Sequence, residues 1–415
     1  MKRILIIIAG VIVLLGIVVG VYYMFFAPGA ATLTVGNPFG DSGAGNATPG
    51  SGLPNTDGTL SNAGTELAPR LVKVTDGPVA RGTVAVDVQL PVASAANVSD
   101  GTASTSSTTP QTTPDVEVHF IDRASGNVYA YIAHARTLTR ISNKTLPGVQ
   151  EASWLSDGSR AYARFLTTSA GGEHIDTYSL DAHGGGGYLL EQDLSQALVV
   201  GSSTFFSLLS GTTGSIGTVA RADGTNAKTL FSSLLSALVV HPTNGNFFAT
   251  NKPSSSIDGY AFQVDRASGA FSRILGPFPG LSILPNSSGN SLLFSYIDAG
   301  VVHLRVMDVA NRTSTALPLA TLAEKCTWST DNLSAYCAVP TAMQGNLPDS
   351  WYQGATIFTD RIWKIDLIQR IATLVVDPSQ VGKVSVDAVS LTTDPNEDIL
   401  MFTDKHTGAL YAYDL

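Results

Sequence analysis

Apolar and polar positions divide this chain into a long uncharged run, a polar low-complexity stretch, and a region of short alternating segments. The run Ile4 to Phe26 holds no charged residue, and Lys2 and Arg3 stand directly before it. At about 1.5 Å rise per residue it reaches roughly 34 Å, enough for a hydrocarbon layer of about 30 Å. No charge follows until Asp41 and no positive charge until Arg70. This asymmetry predicts one transmembrane signal-anchor helix over 1–27, with the N-terminus cytoplasmic and the rest of the chain outside. The competing reading is a cleaved signal peptide, with Ala27, Gly29, Ala30 and Ala31 as small residues near a cleavage site, but such apolar cores usually run only about 7–15 residues. Either reading exports the remainder.

Residues 28–69 are Gly, Ala, Asn, Thr, Ser and Pro with scattered Leu, and show neither helical nor strand periodicity. Such a composition buries too little apolar area to offset the entropy of ordering, so it reads as a flexible stalk. A second tract of this kind, 93–114, interrupts the folded region as a Ser/Thr-rich disordered loop.

From residue 70 to 415 the pattern is all-β: short runs of Val, Ile, Leu, Phe, Tyr and Thr separated by Gly, Asn, Asp and Ser. Two series set the period. Turns lie at Trp154-Leu-Ser-Asp-Gly158, Val200-Gly201, His241-Pro-Thr-Asn-Gly245, Pro285-Asn-Ser-Ser-Gly289, Trp328-Ser-Thr-Asp-Asn332 and Thr392-Thr-Asp-Pro395. Positions 158, 201, 245, 289 and 332 stand 43, 44, 44 and 43 apart. Strands ending in Asp recur at Asp181, Asp223, Asp265, Asp308, Asp366 and Asp414, where a carboxylate can accept from backbone N–H groups just ahead and start a turn. Val128 to Ala133 is a seventh copy without the Asp. Four strands in about 43 residues match one blade of a β-propeller, so the expectation is a seven-bladed propeller. The last blade ends at Leu415 without an outermost strand. Leu71-Val-Lys-Val-Thr75 is expected to supply it by pairing with Leu410 to Asp414, because an open ring leaves unpaired edges.

The Trp-x-Ser-Asp-Gly and Trp-Ser-Thr-Asp-Asn strings resemble the WD-repeat-like motif of TolB-like periplasmic proteins and of the propeller domains of prolyl oligopeptidases. The resemblance spans about 70–415 and implies the fold; Val200-Gly201 departs from the motif.

Composition then narrows the function. The chain carries 24 Lys plus Arg against 33 Asp plus Glu, a formal charge of −9, which argues against nucleic acid as a partner. Two cysteines cannot build a four-thiolate zinc site. There is no Gly-x-Ser-x-Gly elbow, His-Glu-x-x-His or phosphate-loop string, and the seven histidines are dispersed. No catalytic, metal or cofactor-binding residue is therefore assigned, and no cofactor is expected. Asp-Arg-Ala-Ser-Gly occurs at 122–126 and at 265–269; the repeat reads as turn chemistry. Cys326 and Cys337 stand equidistant from the Ser329–Asn332 turn on adjacent strands, where they can form a disulfide outside the cytoplasm or remain two buried thiols.

The spacing from 332 to 395 is about 20 residues too long, and the excess lies at 341–355, between second and third strands. Such loops emerge at the mouth of the central channel. Trp351 and Tyr352 beside Asp349 form the candidate binding loop, as a stacking surface with one negative charge; alternatively the rings fold back and cover the channel. The expectation is a cell-membrane, single-pass protein whose exported propeller binds or scaffolds a protein or glycan partner. The alternatives are a propeller enzyme cleaving cell-surface glycans as hydrolase or lyase, and a structural subunit of an envelope assembly.

Overall fold

The protein's structure, a computed structural model, describes residues 58–91, 112–169 and 172–415. The expected membrane helix, most of the expected stalk and residues 93–111 of the Ser/Thr tract lie outside the described residues. Among those described, no helix is long and apolar enough to cross a membrane.

Continuous apolar runs become middle strands because both faces of their sheets are covered. Ile399–Asp404 is buried at every position and Ser334–Pro340 at all but one. The outer strand Thr313–Ala316, by contrast, is exposed throughout. Seven antiparallel sheets of four or five strands result. Their first strands are Val84–Pro91, Val149–Trp154, Gln196–Val200, Leu238–Pro242, Ser282–Pro285, Cys326–Trp328 and Ala388–Thr393, which begin blades one to seven in chain order. In each blade the chain steps outward, strand by strand, from this innermost position. The first strand of blade seven packs against that of blade one, so the ring closes. The chain is a seven-bladed β-propeller.

Two sequence signals have a direct structural cause. In the twice-occurring Asp-Arg-Ala-Ser-Gly string, the Asp122 carboxylate accepts from Ser125 N at 2.8 Å and Oγ at 2.6 Å, and Asp265 accepts from Ser268 at 2.7 and 2.6 Å. Gly126 and Gly269 follow at φ +73° and +70°, and a Cβ there would lie 2.1 Å from Leu146 O or 1.9 Å from Leu230 O. The string is a hairpin turn that only glycine can finish. The motif tryptophans join blades: Trp154 Nε1 donates to Gly82 O at 3.2 Å, and Trp328 Nε1 to Leu284 O at 3.1 Å, each acceptor belonging to the preceding blade or its entry.

Closure follows the expected pairing. Leu71–Lys73 lies antiparallel to Leu410–Asp414 with Leu71 opposite Tyr413, Val72 opposite Ala412 and Lys73 opposite Tyr411. The ordered strands begin earlier than the sequence pattern indicates, which corrects the stalk boundary at 69. Thr65–Ala68 adds a fifth strand outside Leu71–Lys73, and Thr59–Ser61 pairs with Thr137–Arg140 on the outer edge of blade one. Outer strands need no apolar alternation, since main-chain hydrogen bonds hold them and one face stays wet. Hydropathy is silent about such strands. Ala63 N donates to Arg136 O at 2.7 Å, and Arg136 pairs with Glu66 at 2.6 Å. The segment thus clasps blade one to blade seven. Pro91 stands opposite Thr112 in blade one, so residues 92–111 connect two adjacent strands.

Candidate functional site

Antiparallel blades place two kinds of connection on one face of the ring: those between second and third strands, and those from an outermost strand to the next blade. Residues 341–359, between Ser334–Pro340 and Asp360–Asp366 of blade six, belong to this face. So do the entries to blades six and seven, which carry Glu324, Lys325 and Asp387, and the blade seven connection that carries Lys405.

The insertion turns inward over the ends of blades four to seven. Its one short helix, Asp349–Tyr352, brings the three sequence-predicted residues to different tasks. Asp349 reaches across blade five to blade four, where its Oδ2 accepts from Ser255 N and Oγ, both at 2.7 Å. Burial pushes this carboxyl up, but the Ser255 hydrogen bonds outweigh it and leave Asp349 below the usual carboxylate range. Trp351 is 4% exposed. Its indole N–H donates to Asp387 Oδ2 at 2.8 Å, and its ring stacks with Phe358 at 6.1 Å. Tyr352 is half-buried and its hydroxyl donates to Glu324 Oε1. Burial, reinforced by the Glu324 charge, drives the phenol far above its ordinary value. Burial likewise raises Glu324, against the hydrogen bond from Tyr352.

Beneath the helix lies a charge cluster that sequence reasoning missed. Lys325 Nζ sits 2.5 Å from Asp387 Oδ1 and 2.9 Å from Asp360 Oδ2, with all three side chains fully buried. Lys325 also donates to Ala388 O at 3.0 Å and lies 5.0 Å from the Trp351 ring centroid and 5.2 Å from that of Phe358. Backbone donors complete the carboxylates: Phe358 N to Asp387 Oδ2 at 3.1 Å, and Ala388 N to Asp360 Oδ2 at 2.7 Å. Two negative charges against one positive is an unbalanced buried set, and burial pushes Asp360 up to about 6 despite Lys325. Asp360 Oδ1 has no hydrogen-bond partner. No linear pattern marks this cluster: Lys325 ends a short turn before Cys326–Trp328, and Asp360 opens a strand that also holds Arg361, Lys364 and Asp366.

Toward blade four, a cavity of about 210 Å3 is lined by Val239, His241, Ile283, Glu324 and Tyr352. Burial lowers His241 to about 4. Among the described residues, no three His, Cys, Asp or Glu side chains converge to hold a metal ion. Cys326 and Cys337 face each other across the first hairpin of blade six and are joined by a disulfide. It lies in the apolar layer with Leu293, Ala335 and Ile365.

No family profile and no curated protein matches the chain. Among solved structures, it is similar to an oligogalacturonate lyase from Vibrio parahaemolyticus at 7% identity and TM-score 0.51, covering 72% of this chain and 86% of that one. An oligogalacturonate lyase in complex with manganese matches at 10% identity and TM-score 0.50 over the same shares. TolB from Acinetobacter baumannii matches at 9% identity and TM-score 0.42, covering 70% and 78%. At these identities the lyase matches speak for the propeller fold and nothing finer.

Proposed function

We propose that this chain is a membrane-anchored propeller exported to the cell envelope, where it acts as a binding or scaffolding module for a protein or glycan partner. The observation that carries the non-catalytic reading is how the channel-mouth groups are used. Lys325, Asp360 and Asp387 are spent on one another and on backbone groups, and Glu324 on Tyr352, so the polar machinery fastens the insertion. A general acid or base must instead reach the proton it moves. The half-buried edges of Asp349 and Tyr352 remain as the surface the insertion offers a partner. The uncharged run behind Lys2 and Arg3 supports export, and a bonded cysteine pair suits an oxidising compartment.

Two other readings keep a place. Two of the similar structures are oligogalacturonate lyases, and a glycan-cleaving propeller of that sort, hydrolase or lyase, is the first alternative. A structural subunit of an envelope assembly is the second. A C-terminal alkaline phosphatase fusion tests export: phosphatase activity in the membrane fraction is expected, and an inactive fusion in the soluble fraction overturns the reading. Incubating the purified chain with oligogalacturonate and watching for new unsaturated or reducing ends separates binding from cleavage. A stable partner that co-purifies in detergent in fixed ratio favours the assembly subunit.

A further inference from the structure

On the same face, but between blades seven and one, lies a cleft of about 300 Å3 that the insertion does not fill. Three cations line it, from three separate connections: Arg81 on the entry to blade one, Arg123 within blade one, and Lys405 within blade seven. This gathering is unusual in a chain whose acidic residues outnumber its Lys and Arg by 33 to 24. Two carboxylates share the lining, and both are occupied. Glu151 is held by Arg164 at 2.6 Å. Asp404 accepts from Thr407 N at 3.0 Å, Thr407 Oγ1 at 2.6 Å and Asp387 N at 3.0 Å.

Arg81, Arg123 and Lys405 form no ion pair among the described residues; Arg123 donates to the neutral Gln150, and Lys405 to the Trp351 carbonyl while lying 4.6 Å from that ring's centroid. The Arg81 backbone is pinned from both sides, its N donating to Gln150 O at 3.0 Å and its O accepting from Ala152 N at 2.7 Å. Its guanidinium therefore starts from a fixed base. Burial, with the like charges of Arg81 and Lys325, holds the Lys405 ammonium below the usual lysine range against the pull of Asp387. Three cations gathered at one cleft, none of them in an ion pair among the described residues, favour an anion from outside.

We propose that this cleft binds an oxyanion, a carboxylate or phosphate carried by a small molecule, with Arg81 as the bidentate fork and Lys405 and Arg123 as the flanking charges. A guanidinium matches two oxygens of either group with parallel N–H donors, which an ammonium does not. Asp349, Trp351 and Tyr352 do not line the cleft, although Lys405 reaches it while resting against Trp351.

The test is calorimetric titration of the purified full-length chain at low ionic strength with glucuronate, glycerol 3-phosphate and glucose. At least one anion is expected to bind while glucose gives no heat. Binding of glucuronate alone assigns a carboxylate source, and of glycerol 3-phosphate alone a phosphate source. Arg81→Gln is expected to weaken the affinity about tenfold or more, Lys405→Met similarly, and Arg221→Gln, exposed on blade three, not at all. No binding of either anion, equal binding of glucose, or unchanged affinity in Arg81→Gln overturns the proposal. Should Lys405→Met fail to fold, Arg81→Gln decides alone, since that side chain is exposed.

Discussion

The seam of the ring and the mouth of its channel are both places where distant parts of the chain are fastened together, and they use opposite chemistry. At the seam, Leu71–Lys73 is held by a backbone ladder and by buried Leu71 and Val72, at 0% and 6% exposure. At the mouth, the insertion is held by side chains: a buried Lys325 between Asp360 and Asp387, with the Trp351 indole donating into the same carboxylate. Backbone pairing tolerates many sequences as long as the apolar face is kept. A buried ion cluster tolerates few, because removing one member strands the others without water. Robustness therefore belongs to the seam, and specificity to the mouth.

The comparison can be broken at its strong side first. Deleting residues 58–75 removes the outer strands of blade seven and bares the edge of Leu410–Asp414. Loss of each buried large side chain costs about 2–5 kcal/mol, and the open edge invites pairing between molecules. Loss of cooperative thermal unfolding and larger particles in light scattering are expected; a monomer melting as before contradicts the clasp. Next comes Lys325→Met, which leaves two buried carboxylates unpaired. It is expected to cost about 3–5 kcal/mol in denaturant unfolding, and the triple change with Asp360→Asn and Asp387→Asn to recover most of that loss. A single variant as stable as the parent shows that the cluster does not hold the mouth.

The cysteine pair lies in the same blade as the insertion but belongs to the hairpin. Cys337→Ala is expected to lower stability by about 3 kcal/mol at most, since the closed loop is short. Anion affinity at the Arg81 cleft should not change. The smallest effect is a slope. Asp360 has its folded value raised to about 6 from 3.8, so the folded state holds that proton more tightly than the unfolded chain. Its contribution is present at low pH and is lost as pH rises from about 4 through 6. Asp360→Asn should remove that fall from the stability–pH curve, read as the difference from wild type because Asp349, Asp377 and Glu397 shift the opposite way. Parallel curves overturn this account of the cluster.

The seam and the mouth also differ in how well the sequence announced them. Leu71 to Thr75 could be matched to Leu410–Asp414 because strand pairing in a closed ring depends on pattern and count, both linear properties. The repeated Asp turns and the motif tryptophans were legible for the same reason: their hydrogen bonds reach only a few residues or one blade. Thr59–Ser61 and Thr65–Ala68 were not, because an edge strand held by main-chain bonds carries no hydropathy signal. At the mouth, the length of the 341–355 excess was legible, whereas the direction of its side chains was not. Trp351 stands in a polar loop and yet is buried, since its partner Asp387 is 36 residues away and meets it only once blades six and seven have packed together. Lys325 and Asp387 come from the entries to two blades and Asp360 from the start of a strand, and no local spacing reveals such a meeting.

The clasp built from residues 58–75 has a consequence for the order of events in synthesis. Its docking site, Leu410–Asp414, belongs to blade seven, so Leu71–Lys73 stays unmatched until the six blades before that one have been made. Blades two to six can assemble from neighbouring contacts as they emerge, but locking the wheel requires the contact of greatest sequence separation in the fold. Contacts of that kind slow folding. While they wait, Thr65–Ala68 and Leu71–Lys73 need shelter from other strand edges.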